Sequence, residues 1–172
     1  MSSHQTRHLQ LPHTNDCLVC GRLNPHGLKL DCFVESETGV VKALFVPSPH
    51  HCGFAGVVHG GLLATVLDEA MTWAATWSIR QFCYAGEMTV RFRKNARANE
   101  PLQIEASVES ARSKLILVTA KFMDANGTLV TTASGKYVPV SAEQHGRFVG
   151  TLLDTPATRT TLQLLRGSPT QG

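Results

Sequence analysis

The 172-residue sequence has no uninterrupted apolar run near the ~20 residues that a membrane-spanning helix requires. Its first seventeen residues, MSSHQTRHLQLPHTNDC, hold no apolar stretch that could act as the core of a signal peptide. Both absences lead to the expectation of a cytoplasmic protein that stays out of membranes. Cysteine is sparse and its count is odd, at five. Without a secretory signal, a reducing compartment is expected and a disulfide framework is not. Charge is also thin: 17% of residues are charged, and 16 Lys+Arg against 13 Asp+Glu give a net +3. The basic residues are spread along the chain, which is no nucleic-acid footprint. A small anionic ligand suits that balance better. The 42% of residues that are hydrophobic suffice for one continuous core, and no internal repeat breaks it into units.

Periodicity divides the chain. Residues 1–16 are polar and aperiodic and read as a flexible N-terminal tail. Residues 141–172, rich in Thr, Gln, Gly and Pro, read as a C-terminal extension with a short helix around Thr160–Leu165. Between them, residues 17–140 form the expected domain. Leu28, Leu30, Cys32 and Val34 alternate with Lys29, Asp31 and Phe33, and Val40–Val46 follows Ser36-Glu37-Thr38-Gly39, a first hairpin. From Gly61 to about Ile79 the apolar positions recur at helical spacing with no Pro and no interior Gly, which predicts one long helix. Period-two segments follow at Cys83–Arg93, Leu102–Ser110, Lys114–Met123 and Thr128–Val138, the last after an Asn126-Gly127 turn. Half-polar strands of this kind imply an antiparallel sheet with one wet face, and one helix against such a sheet is an α+β fold.

The chemistry concentrates at Gly56-Val57-Val58-His59-Gly60-Gly61 and the helix that follows. Two glycines at a helix start permit close approach of a ligand, and the unpaired N–H groups there can hold a negative oxygen. Asp68, nine residues beyond His59, lies two turns into an otherwise apolar segment. Desolvation would tune such a carboxylate as a general base or nucleophile. Glu69 competes by periodicity alone.

The pattern G-x-x-H-G-G followed by L-L-x-x-x-L-D-E resembles the PaaI-like acyl-CoA thioesterases of the hotdog fold, in the 4-hydroxybenzoyl-CoA thioesterase superfamily. Cys17-Leu18-Val19-Cys20-Gly21 with Asn24-Pro25 and Gly27-Leu28 is similar to a lead-in found in one branch, and Glu87–Arg93 to the strand after the helix. The resemblance implies a curved antiparallel sheet wrapped around the helix, and two subunits joined edge to edge with active sites at their interface. It implies Asp68 as the catalytic carboxylate, Gly61 with Gly60 as donors to the carbonyl oxygen, and His59 beside the substrate carbonyl. It implies release of free CoA and a carboxylic acid, with no cofactor, by a homodimer or homotetramer. Many relatives carry a Thr or Ser where this chain has Ala85, so Thr89, Tyr84 or Glu87 would have to take over that hydroxyl's role.

Further residues have two readings each. Arg91, Arg93 and Lys94, with Arg97 close by, could grip CoA phosphates or form a solvated sheet face. Trp73 and Trp77 could line an acyl pocket or pack as core. Cys17 and Cys20 could be half of a zinc site completed from His13, His26, His50, His51 or Cys52. With no second C-x-x-C, the expectation is no metal. A hydratase would need a histidine in the central helix, and none is there. A non-catalytic acyl-CoA binding or sensing module is the alternative from another class.

Overall fold

A computed structural model describes residues 7–167. The strands are β1 (His8–Gln10), β2 (Cys32–Glu35), β3 (Val41–Phe45), β4 (Cys52–Phe54), β5 (Val57–Val58), β6 (Cys83–Phe92), β7 (Leu102–Arg112), β8 (Leu115–Met123) and β9 (Leu129–Pro139). The helices are α1 (Gly60–Ile79), α2 (Ala142–Val149) and α3 (Arg159–Arg166). Seven strands form one antiparallel sheet in the order β1-β2-β3-β7-β8-β9-β6, while β4 and β5 pair apart from it. The α+β expectation therefore stands.

Alternation explains how the sheet receives the helix. On β7 the inward set Leu102, Ile104 and Ala106 is buried, as are Ile116, Val118, Ala120 and Phe122 on β8 and Thr131, Ala133 and Tyr137 on β9. These side chains stand on alternate residues, so one face of the sheet packs on α1 and the other meets solvent. The helix is apolar around most of its circumference, with Leu63, Val66, Leu67, Ala70, Met71, Ala74 and Ala75 all buried. Such a helix belongs in a core. It packs against β3, β6, β7, β8 and β9 and ends at Arg80, whose left-handed φ of 57° closes the last turn with an N–H bond to the Thr76 carbonyl. Among the described residues no helix is long and apolar enough to cross a membrane.

The ends differ from the sequence expectation. Residues 1–16 were expected to be a flexible tail, but from His8 the chain pairs with β2, and Leu11 is completely buried. Residues 1–6 and 168–172 lie outside the described residues. The extension carries two helices. Leu162 and Leu165 of α3 join the same core as Leu11, and Thr161 Oγ1 donates to the Gln10 carbonyl at 2.7 Å. His145 of α2 ties the extension down from the other side: its Nδ1 accepts from the Phe82 amide at 3.1 Å, and its Nε2 donates to the Leu165 carbonyl at 3.1 Å. Apolar residues this few and irregularly spaced give no periodic signal, yet together they cover one end of the core.

Candidate active site

α1 begins at the two glycines. His59 caps it in extended conformation, and its Nδ1 accepts a hydrogen bond from the Gly61 amide at 3.0 Å. The Nε2 is then left as the outward donor. A Cβ on Gly61 would meet the His59 ring at 3.0 Å, so the second glycine keeps that ring in place. His59, Gly60, Phe92 and Lys94 line a cleft of about 280 Å³. Lys94 is also paired with Asp124, Nζ to Oδ2 at 2.7 Å.

Two turns along, Asp68 Oδ1 accepts from the Tyr137 hydroxyl at 2.8 Å. Tyr137 is fully buried on β9, and its phenol is held well above the usual range, first by burial and then by the Asp68 charge. The phenol therefore stays a donor. Gly135 makes room for it, since a Cβ there would come within 2.9 Å of the ring. Sequence reasoning missed Tyr137, although the alternation of β9 places it on the helix-facing side with Thr131 and Ala133. Ala85 lies opposite Tyr137 in the β6–β9 ladder, next to an irregularity at Gly86, and is exposed.

Glu69 points elsewhere. Its Oε1 accepts from the Trp73 indole N–H at 3.1 Å, and its Oε2 lies 3.9 Å from Cys17 Sγ. Burial, aided by Cys17, pushes the Glu69 carboxyl up to about 7. Cys17 is held low, chiefly by a hydrogen bond from the Cys20 thiol and then by backbone amides, while the same bond and burial push Cys20 up. Trp73 is buried and packs on Phe82 at a ring separation of 5.7 Å.

The cations divide between two places. Lys94 shares the cleft of His59 and Gly60, whereas Arg91 and Arg93 line a second cleft of about 440 Å³ on the outer face of the sheet, with Lys121 and Thr119. Asp68 and Gly61 line neither cleft within the single chain.

Residues 55–131 match the family model described as "Thioesterase superfamily". No curated protein matches the chain significantly. Among solved structures the chain is similar to a thioesterase superfamily protein at 22% identity and TM-score 0.67, covering 72% of this chain and 60% of that one. It is similar to the E. coli PaaI protein of the phenylacetic acid degradation operon at 18% identity and TM-score 0.61, covering 66% and 81%. A third, from Streptococcus mutans and solved bound to acetyl CoA, shares 15% identity at TM-score 0.60, covering 65% and 89%.

Proposed function

We propose that this chain, a PaaI-like hotdog protein with a thioesterase-superfamily match over residues 55–131, hydrolyses an acyl-CoA thioester to free CoA and a carboxylic acid. The observation that carries the reading is the Asp68 carboxylate, held at 2.8 Å by a buried tyrosine hydroxyl, on the helix that starts at His59-Gly60-Gly61. A carboxylate fixed by one neutral donor keeps its second oxygen for a water or for the thioester carbon. Asp68 thus acts as general base or nucleophile.

The thioester carbonyl oxygen is received at the start of α1. There the Gly61 amide exchanges His59 Nδ1 for the substrate oxygen, with the Gly60 amide beside it, and the His59 Nε2–H faces the same carbonyl. Lys94, and Arg91 with Arg93, take the phosphates of CoA. Trp73 serves the acyl side from behind the helix. The edge of β6, a ten-residue strand paired among the described residues only with β9, is where a second copy completes a dimer.

Ala85 favours the second reading, a module that binds acyl-CoA without cleaving it, because its side chain offers no hydroxyl at that strand. Thiol release from short, medium, long-chain and aromatic acyl-CoAs separates the two. Turnover that collapses in Asp68→Asn supports the hydrolase. Tight binding with no turnover on any of the panel replaces it with the binding module.

A further inference from the structure

The lead-in from His13 to Asp31 contains few regular elements, yet its main chain is locked. Thr14 Oγ1 accepts from the Cys17 amide at 3.1 Å, the Gly21 amide reaches back to the Cys17 carbonyl at 3.0 Å, and Lys29 Nζ donates to the carbonyls of Gly21 and Arg22 at 2.8 and 2.9 Å. The effect is a tight turn that brings the two sulfurs of Cys17-Leu18-Val19-Cys20 to one side. A Cβ at position 21 would come within 2.2 Å of the Cys17 carbonyl oxygen, so only glycine lets the turn close this far. The Val19 amide points at Cys17 Sγ from 3.3 Å, the arrangement that favours a thiolate.

The third side chain comes from α1. Glu69 is fixed by the Trp73 indole through one oxygen and presents the other to the sulfurs. The donor atoms of Cys17, Cys20 and Glu69 all lie within 4.8 Å of one another. Zinc held tetrahedrally at about 2.3 Å from sulfur and about 2.0 Å from oxygen needs neighbouring donors about 3.5–3.8 Å apart. The 3.9 Å between Cys17 Sγ and Glu69 Oε2 is within a few tenths of an ångström of that. The disulfide alternative would use the sulfurs but leave the oriented carboxylate unexplained.

From this geometry we infer that Cys17, Cys20 and Glu69 form a binding site for a zinc-class divalent cation, which clamps the N-terminal lead-in to the central helix. Trp73 is the outer partner that orients the carboxylate. Thiolate donors select zinc over magnesium or calcium, and the fourth position is left for water. None of the histidines considered as ligands from the sequence joins the cluster among the described residues. The clamp does not depend on which reaction the protein carries out.

The test uses the full chain, reduced and stripped with a chelator, then titrated with Co²⁺ under nitrogen. One Co²⁺ per chain with a sulfur-to-cobalt charge-transfer band, displaced by Zn²⁺, is expected. Cys17→Ser and Cys20→Ser each abolish the band, Glu69→Gln weakens binding at least tenfold, and Cys83→Ser retains it. Absence of the band in the wild type, or its survival in both Cys17→Ser and Cys20→Ser, overturns the site. Should the variants not fold, alkylation of the wild type decides the matter. Zn²⁺ protecting Cys17 and Cys20 from iodoacetamide upholds the clamp, and equal labelling with and without Zn²⁺ refutes it.

Discussion

Asp68 and Glu69 are chain neighbours on one helix turn, and they inhabit different chemistry. Asp68 faces β9 and takes one hydrogen bond from a neutral phenol. Glu69, about 100° further round the helix, faces two thiols and an indole. Among the described residues the first takes its hydrogen bond at Oδ1 and none at Oδ2, as the proposed role requires. The second has both oxygens committed and its proton held by burial, which suits a ligand or a structural acid. Identity of side chain decides little here, and the direction in which the helix turns it decides much.

The comparison can be broken in four ways. Asp68→Asn is expected to lower kcat for a cleaved acyl-CoA by about 10³-fold, or about 4 kcal/mol of transition-state stabilisation, measured as thiol release. A variant within fivefold of wild type would remove Asp68 from the chemistry.

Glu69 is expected to show itself in stability rather than rate. With its folded value raised to about 7 against 4.5 for the free carboxyl, the native state keeps a proton that the unfolded chain has lost between those pH values. The contribution of this group is therefore complete below about pH 4.5 and lost as pH rises through 7. In metal-free protein, urea unfolding should show wild type losing about 2–3 kcal/mol relative to Glu69→Gln across that window. A constant gap would mean that Glu69 is charged throughout.

Tyr137→Phe removes the donor to Asp68, and with it the hydroxyl that Thr72 also contacts. A 10- to 100-fold fall in kcat, a change in its pH profile and a stability loss of about 1–2 kcal/mol are expected. An unchanged profile with lost stability would reduce Tyr137 to packing. Trp73→Phe, the mildest, frees one Glu69 oxygen and should cost about 1 kcal/mol by thermal unfolding. It should also weaken Co²⁺ binding less than Glu69→Gln does.

Much of the frame was legible in the amino-acid sequence. α1 and strands β6 to β9 start and stop within two residues of the expectation, because each is long and strictly periodic. The hairpin of β2 and β3 was legible for the same reason, though shorter than read. β1, β4, β5 and α2 were not, since two to eight residues carry no period that survives chance. The candidate site divides likewise. Asp68 and the glycines sit in one contiguous motif. Tyr137 is 69 residues from its partner and Cys17 is 52 from Glu69, so only tertiary structure makes those pairs visible. The expected roles of Ala85, Arg91 and Arg93 concern a second subunit or a bound CoA, and a single chain holds neither.

The contact between α3 and β1 sets an order of events during synthesis. Leu11 leaves the ribosome before Leu162 and Leu165, which share its core, have been made. β1 can pair with β2 early, but the contacts it makes with α3 need a helix about 150 residues further along the chain. Until then Leu11 and the Gln10 carbonyl lack the partners that α3 supplies. α3 thus completes the cover over Leu11 that the sheet only begins.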